Sequence, residues 1–250
     1  MSNYLELENG INTIHYGTSD LHRLLSYDEN IGVNCENLTI VVLSLNRADA
    51  TIKLLKSLEE NCKKFNGVVL ICDNGSDNEN FSKLEKAINT LKINVKLVKF
   101  NQNLGVAKGR NEAVKHVETE WIMFLDNDIY FTKDIFTDTQ KSIAQLGCKF
   151  INIPLLNSDK ETLFSYGGHI YLTLDNDNIY IGCGSTYKQN KTGDLIYIEN
   201  CLASFLFGGS SIVNKKTFLD LGGFDEGMFI GFEDIDFSIR VFNAGLKIRL

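Results

Sequence analysis

The strongest constraint on the fold is an alternation of apolar, β-rich runs with amphipathic segments between residues 38 and 125. The first run, LTIVVLSL, is almost continuously apolar, which is typical of a strand buried on both faces of a parallel sheet. Three further runs follow, GVVLIC, VKLVKF and WIMFL. Parallel strands need helical crossovers between them, so the pattern predicts an α/β fold.

The segments between these runs are identified as helices by the spacing of their apolar residues. In the first of them, one core-facing stripe is formed by Ile52, Leu55, Leu58 and Cys62. We expect Asn46 to cap this helix and Asp77 to cap the next, which is predicted around residues 80–91. A third helix is expected around residues 106–117. The series predicts a Rossmann-like, mostly parallel sheet flanked by helices.

Beyond residue 130 the strict alternation stops and the pattern becomes α+β. The sequence HIYLTLDNDNIYIGCG predicts a β-hairpin over residues 169–184, and a helix is expected at residues 215–221. Before residue 38 the chain is polar and weakly periodic, with one helical candidate at residues 20–25. The chain is therefore divided into an N-terminal extension at 1–37, a ligand-binding half at 38–130 and an α+β half of the same domain at 131–250.

Composition excludes several classes of protein. A formal net charge of -7 argues against nucleic acid as the main partner, because a phosphate-backbone reader needs a basic face. The sequence contains no run of about 18 apolar residues, so no transmembrane helix is predicted. Its first residues lack the basic and apolar regions of a signal peptide. The six cysteines are widely spaced and are expected to be reduced thiols in a cytoplasmic protein.

The candidate site follows from the predicted sheet. In open α/β sheets ligands bind beyond the carboxyl ends of the strands, so the residues directly after each strand are the most informative. They are mostly polar or acidic. In chain order they are Ser44, Asn46 and Arg47, then Asp73, Asn74 and Asp77, then residues 101–105, then residues 126–128.

Asp126 and Asp128 directly follow the apolar run WIMFL and have no basic neighbour in sequence. Two such carboxylates repel each other, and a divalent cation with oxygen ligands, Mg²⁺ or Mn²⁺, relieves the repulsion while binding a diphosphate. A solvated acidic turn is an equally weighted alternative. The same tripeptide recurs at Asp175 and Asp177, where it joins two short strands and is interpreted as a turn.

The loops after the second and third strands offer further polar groups. Asp73 either opens a turn or accepts the imide N–H of a pyrimidine base, and both readings are compatible. Gly105 precedes the third helix, where the lack of a side chain allows a ligand to approach closely. Lys108 and Arg110 in its first turns can offset diphosphate charge, although a solvated basic helix face is about as good an explanation.

The second acidic cluster begins at Glu233 and Asp234. On a helix Asp236 and Arg240 are four residues apart and can form an ion pair. Acidic residues in a first helical turn are common, but a partly buried carboxylate among anionic neighbours can have a raised pKa, which suits a general base. The preceding segment GGFDEGMFIGF has three aromatic residues that we expect to be exposed and to form a mobile wall over a ligand.

Taken together, six segments resemble a family 2, GT-A-fold glycosyltransferase. They are TIVVLSLNR, CDNGSD, NQNLGVAKGRNEAV, WIMFLDND, FGGSSIVNKKTFLDLGGFDE and FEDIDFSIRVFNAG. The resemblance implies a GT-A-type sheet, a UDP- or dTDP-sugar donor, Mn²⁺ or Mg²⁺, and inversion at the anomeric carbon. It assigns the nucleotide-sugar to residues 38–130 and a glycan, lipid-linked or protein acceptor to residues 131–250.

The resemblance also implies residue roles. It gives donor roles to Asn46, Arg47, Asp73, Arg110 and Asp126, and the positions that follow the strands add Ser44, Asn103, Gly105 and Lys108 as candidate donor contacts. Metal binding falls to Asp126 and Asp128, the base is Asp234, and acceptor contacts fall to Glu233, Gly209 and Phe232.

The sequence departs from the family pattern in two places. The first strand ends in SLNR, where many relatives have a proline-containing turn, and a histidine that often serves as a third metal contact has no counterpart before Leu250. We expect the chain to be the front part of a longer protein. Two alternatives stay open: a non-catalytic nucleotide-sugar or glycan-binding module of the same fold, and a sugar nucleotidyltransferase, for which SLNRADA lacks the required glycine-, arginine- and lysine-bearing loop.

Overall fold

A computed structural model describes residues 5–8, 11–14, 35–140, 148–165, 167–175, 178–185 and 202–249. The strands are β1 (Leu5–Glu8), β2 (Ile11–Ile14), β3 (Leu38–Ser44), β4 (Val68–Asp73), β5 (Val95–Lys99), β6 (Trp121–Leu125), β7 (Phe150–Asn152), β8 (Leu155–Leu156), β9 (Leu163–Ser165), β10 (Gly168–Asp175), β11 (Asn178–Ser185), β12 (Leu202–Ala203), β13 (Ser210–Asn214) and β14 (Ile248–Arg249). The helices are α1 (Ala48–Asn61), α2 (Asn78–Ile88), α3 (Val106–Val114), α4 (Lys215–Asp220) and α5 (Glu233–Asn243).

An eight-stranded, mostly parallel sheet forms the centre of the fold, in the order β12-β14-β7-β13-β6-β3-β4-β5. The strands β5, β4, β3 and β6 are parallel neighbours, as the alternating sequence pattern predicts. β13 pairs antiparallel with both β6 and β7, which introduces the mixed character expected beyond residue 130. The fold-class prediction is confirmed.

Helices cover both faces of this sheet, which explains why the central strands are apolar without alternation. Along β6, Trp121 and Met123 belong to the core that contains α1 and α2, whereas Ile122 and Phe124 belong to the core that contains α3, α4 and α5. Both sides of a strand with two buried faces must be apolar. The polar residues are therefore concentrated where the strands end, beyond the two cores.

Helix ends differ from the sequence predictions in detail. Asp77 accepts a hydrogen bond from the backbone N–H of Asn80 and caps α2, as expected. The prediction that Asn46 caps α1 is wrong, because Arg47 holds the N-cap position without a side-chain hydrogen bond. Asn46 instead lies at φ 51° and accepts a hydrogen bond from the backbone N–H of Asp77, at 2.8 Å. It thereby joins the loops that follow β3 and β4.

The α+β half contains the predicted hairpin, formed by β10 and β11 as an antiparallel pair. The helical candidate at residues 20–25 and the turn residues 176 and 177 lie outside the described residues. Within the described part of the chain, no helix has both the length and the apolar character needed to cross a membrane.

Candidate active site

The carboxyl ends of β3, β4 and β6 open into a cavity of about 510 Å³. It is lined by Leu43, Leu45, Arg47, Asn74, Asn103, Gly105, Val106, Arg110, Leu125, Asp126, Asn127, Asp128, Phe207, Gly209, Phe229, Ile230, Gly231, Glu233 and Asp234. A more open groove of about 570 Å³ lies beside α1 and contains none of the predicted site residues. The first cavity is therefore the candidate site, since it lies at the ends of the sheet strands and contains the predicted acidic residues.

Asp126 emerges from the end of β6 and is held by its backbone and its side chain. Its N–H donates to the carbonyl of Gly209 at 2.9 Å, and its Oδ1 accepts from Arg110 Nη2 at 2.9 Å. A Cβ at Gly209 would lie 2.3 Å from Asp126 Oδ2, which is too close for any side chain. Glycine at position 209 is thus required by the position of the Asp126 carboxylate.

Arg110 extends from α3 and connects the two acidic clusters. Besides Asp126, it donates from Nη1 to Glu233 Oε1 at 3.1 Å, and both the arginine and Glu233 are buried. The other carboxylate oxygen of Glu233 is buried with no hydrogen-bond partner. A buried carboxylate oxygen left unpaired is costly, so this atom is suited to accept a hydrogen bond from a bound ligand.

Asp234 lies in the first turn of α5, next to Glu233. Its Oδ2 accepts the backbone N–H of Gly208 at 3.0 Å and its Oδ1 accepts that of Ile235 at 2.9 Å. Burial raises the pKa of Asp234 most, and the Glu233 charge adds to this, against lowering by the Gly208 N–H, Arg110 and the Ile235 N–H. A carboxylate with a raised pKa in a cavity is suited to accept a proton.

Asp128 has a looser environment than Asp126. Its Oδ2 lies 3.4 Å from Arg47 Nη1, and both side chains are more than half exposed. An ion pair this exposed contributes little free energy and is easily exchanged for another partner. Asp128 can therefore turn toward a cation or a ligand without a large penalty.

Amide side chains build the opposite wall of the cavity. Asn74 donates to Asn103 Oδ1 and to the carbonyl of Gly105, both at 3.1 Å, and accepts from the N–H of Leu104. Gly105 has φ 79°, and a Cβ there would lie 2.4 Å from the carbonyl oxygen of Phe229. These contacts bring the loop after β5 against the segment that precedes α5.

Nine of the predicted site residues line the cavity: Arg47, Asn103, Gly105, Arg110, Asp126, Asp128, Gly209, Glu233 and Asp234. Five do not, namely Ser44, Asn46, Asp73, Lys108 and Phe232. The hydroxyl of Ser44 is hydrogen-bonded to the hydroxyl of Thr51 in the buried interior. Asp73 Oδ1 accepts a hydrogen bond from the N–H of Ser76 in a turn. Lys108 faces Glu226 at 3.6 Å. Their predicted roles remain predictions.

Some cavity residues were not predicted from the sequence. Phe207 lines the cavity without any signal in the sequence, and Asn74, which was noted for its position after β4 but given no role, lines it as well. The expectation of three exposed aromatics before α5 is wrong for Phe224. That ring is buried and packs against Phe218 and Phe237, with ring centroids 5.0 and 5.5 Å away. Phe229 and Phe232 are exposed as expected.

The donor set fits a hard divalent cation. No group of three or more His, Cys, Asp or Glu side chains converges within the described part of the chain. Mg²⁺ and Mn²⁺ are often held by one or two carboxylates together with substrate phosphates and water. Four carboxylates and two arginines line the cavity, so its formal charge is -2 when all six are ionised. That negative charge favours binding of a cation beside Asp126 and Asp128.

The mostly parallel sheet, with acidic loops at the ends of its strands, gives this chain a GT-A-type fold. The profile of glycosyl transferase family 2 matches residues 39–211, and the chain belongs to this family. A profile described as the N-terminal domain of galactosyltransferase matches residues 201–250. The resemblance drawn from the six sequence segments is confirmed.

Among known proteins, the chain is 24% identical over 247 residues to the uncharacterized glycosyltransferase YfnE of Bacillus subtilis, with 85% of this chain and 62% of that protein aligned. It is 23% identical over 221 residues to the dTDP-rhamnosyl transferase RfbF of Shigella flexneri, with 86% and 66% aligned. The chain thus spans less than two thirds of the length of either relative.

Solved structures support the fold. The crystal structure of S. aureus TarS 1-349 superposes with a TM-score of 0.60 at 20% identity, covering 85% of this chain and 57% of that one. The structure of GalNAc-T7 with UDP, GalNAc and Mn²⁺ superposes with a TM-score of 0.64 at 16% identity, covering 89% and 43%.

Proposed function

We propose that this protein is a metal-dependent, inverting glycosyltransferase that moves a sugar from a UDP- or dTDP-linked donor to a hydroxyl of an acceptor. One observation carries the proposal: a single cavity is lined by Asp126 and Asp128 at the end of β6 and by Asp234 at the start of α5. The first two suit the diphosphate end of a donor, and the third suits an acceptor hydroxyl. The three carboxylates come from segments about 110 residues apart in sequence.

Relatives support the donor class. One relative is named a dTDP-rhamnosyl transferase, and TarS has been crystallised with UDP and with UDP-GlcNAc. Two proteins of similar structure were crystallised or solved in complexes that contain Mn²⁺. Asp73 is retained as the candidate acceptor for the imide N–H that uracil and thymine share, but it lies outside the cavity lining, so the relatives carry the choice of these two bases.

Asp126 and Asp128 would hold the metal ion. When bound, the ion would supply positive charge that stabilises the diphosphate leaving group. Both Nη atoms of Arg110 are engaged by carboxylates, and Lys108 lies outside the cavity. Arg47, on the cavity wall, is therefore favoured over both as the residue that meets the diphosphate directly.

Asp234 would act as the general base. The acceptor oxygen forms a bond to the anomeric carbon while the bond from that carbon to the diphosphate oxygen breaks, and the acceptor proton passes to the Asp234 carboxylate. Attack from the face opposite the diphosphate inverts the anomeric carbon without a covalent enzyme intermediate. The hydrogen bonds from Gly208 and Ile235 fix the carboxylate for this task.

The acceptor is a glycan, lipid-linked saccharide or protein hydroxyl in this proposal. Glu233, Gly209 and Phe232 remain candidate acceptor contacts, and the unpaired Oε2 of Glu233 is the atom best suited to bind a sugar hydroxyl. The alternative of a non-catalytic binding module would keep this cavity but give no turnover.

A panel of UDP- and dTDP-sugars with Mn²⁺ tests the proposal. A bound donor should raise the melting temperature by mass action, and slow transfer to water should release the nucleoside diphosphate. Release of pyrophosphate from a nucleoside triphosphate and a sugar phosphate would instead identify a nucleotidyltransferase. Thermal stabilisation without release of any product, with acceptor panels included, would identify a binding module and reject the proposal.

A further inference from the structure

The hairpin of β10 and β11 has one face that is entirely apolar. Its cross-strand pairs alternate between two faces, and Ile170 lies opposite Cys183, Leu172 opposite Ile181, and Leu174 opposite Ile179. We call these six residues the aliphatic face. Leu172, Leu174, Ile179 and Ile181 are 39 to 66% exposed. An exposed apolar face this regular is characteristic of a binding surface.

The opposite face of the hairpin has a different character. It presents His169, Tyr171, Thr173 and Tyr180, and the ring of Tyr171 lies over Gly182, where a Cβ would be 2.4 Å from the ring. The aliphatic side chains are thus segregated, since every polar or aromatic side chain of the central pairs lies on the other face. The hairpin therefore has one side whose paired side chains are all apolar and another that carries the hydroxyl, imidazole and phenol groups.

The Ile170 end of the aliphatic face is hydrogen-bonded to residues 204–208, the segment that contacts Asp234. The N–H of Ile170 donates to Ser204 Oγ at 2.8 Å, and the N–H of Ser204 donates to the carbonyl of Gly168 at 3.2 Å. Four residues beyond Ser204, Gly208 donates to Asp234. Burial raises the pKa of the Cys183 thiol, and the charge of Asp234 raises it further, so this end of the face is within electrostatic reach of the proposed base.

We propose that the aliphatic face binds the alkyl part of an amphiphilic acceptor, whose hydroxyl end reaches Asp234. This proposal rests on the glycosyltransferase function proposed above and specifies its acceptor class. Three residues on alternate positions of one strand span roughly 14 Å, and two strands are about 5 Å apart. Such a strip fits a single alkyl chain and is far smaller than the roughly 800 Å² per partner that a stable dimer buries.

The charges on the hairpin indicate whether its aliphatic face binds one amphiphilic molecule or a membrane surface. Residues 168–185 contain neither lysine nor arginine, and Asp175 is exposed near the end of β10. Hairpins and helices that lie on anionic bilayers usually carry basic residues beside their apolar face. An uncharged apolar strip that is joined through Ser204 to the segment contacting Asp234 is better matched to the alkyl part of one bound acceptor.

The test measures alkylation of Cys183 by iodoacetamide, followed by peptide mass spectrometry. Octyl β-D-glucoside, below its micelle concentration, is compared with methyl β-D-glucoside. We expect the octyl compound to protect Cys183 at concentrations at least roughly tenfold lower than the methyl compound, because the added methylenes are buried. This readout needs no turnover, so it can fail while the nucleotide-release assay succeeds, and the reverse.

Matched variants complete the test. The double variant Ile179→Thr, Ile181→Thr should lose the advantage of the octyl compound, whereas Tyr180→Thr on the other face of the same strand should keep it. Equal protection by both glucosides would overturn the proposal. So would self-association in analytical ultracentrifugation, or co-sedimentation with phosphatidylcholine vesicles, if the double variant abolished it, because the occupant would then be a second copy or a bilayer.

Discussion

Arg110 and Glu233 form a buried ion pair of 3.1 Å across 123 residues of sequence. The same guanidinium donates to Asp126 at 2.9 Å, so one side chain joins the D-x-D loop to the first turn of α5. Its Cζ atom lies 5.8 Å from the ring centroids of Phe124 and Phe224. The distance between the two acidic clusters is therefore fixed by a buried arginine that hydrogen-bonds to both of them.

Replacing Arg110 by methionine should destabilise the protein strongly. The variant keeps most of the side-chain volume but leaves Glu233 as a buried carboxylate without its partner, a change that typically costs about 3–5 kcal/mol. The free energy of unfolding, measured in urea, checks this. Lys216→Ala, which breaks the exposed pair with Asp220, is the control and should cost less than about 1 kcal/mol. Equal losses in the two variants would contradict the bridging role of Arg110.

Gly209→Ala should impair turnover more than folding. A Cβ at this position would lie 2.3 Å from Asp126 Oδ2, so the carboxylate would have to move away. Misplacing a catalytic group by about 1 Å costs roughly 100-fold in rate. The kcat/KM with the donor found in the panel measures the effect. Gly184→Ala serves as the control, since its Cβ would make an ordinary contact of 3.5 Å with Tyr171. Unchanged kcat/KM in Gly209→Ala would show that Asp126 does not act where the structure places it.

Asp234→Asn should lower kcat by roughly 10²–10⁴-fold while donor affinity changes little, because only the proton acceptor is lost. The matched control is Asp236→Asn, on the same helix two residues further along. Asp236 pairs with Arg240 at 2.9 Å instead of lining the cavity, so its variant should retain most activity. Donor affinity is measured separately by calorimetry. Retained turnover in Asp234→Asn would exclude it as the base.

The pH dependence of kcat/KM should report on Asp234. Its pKa is raised, chiefly by burial, and a base must be ionised, so activity should fall as the pH drops through this raised pKa. Glu233→Gln removes a negative charge that raises the pKa of Asp234. The acidic limb of the profile should therefore move to lower pH in this variant, whatever happens to the maximum rate. A limb that stayed in place or moved to higher pH would show that another group controls it.

Sequence patterns were sufficient for the parallel half of the fold because two buried faces force a strand to be apolar throughout. β6 and the aspartates after it follow from that rule, as does Asp77 as a helix cap. Asn46 did not follow, because its hydrogen bond to Asp77 depends on two loops from different strands meeting. Sequence spacing within one helix could not reveal that contact.

The four acidic residues that line the cavity were predicted from the sequence, but the hydrogen bonds that join them were not. Arg110 was assigned to a diphosphate from its place in α3, whereas its two carboxylate partners lie 16 and 123 residues away. Phe224 was expected to be exposed because it stands among glycines, yet it fills the core between α4 and α5. Such contacts arise from packing between elements, which leaves no periodic signal in the sequence.

Metal dependence should follow the D-x-D loop. A chelator should stop nucleotide release and added Mn²⁺ or Mg²⁺ should restore it, because Asp126 and Asp128 offer the hard oxygen ligands these ions prefer. Asp128→Asn should raise the Mn²⁺ concentration needed for half-maximal activity at least roughly tenfold, since one charged ligand becomes neutral. Asp175→Asn, in the same tripeptide on the hairpin, is the matched control and should leave that concentration unchanged. Full activity in excess chelator, or the same metal requirement in Asp128→Asn and the parent protein, would remove the metal from the proposed mechanism.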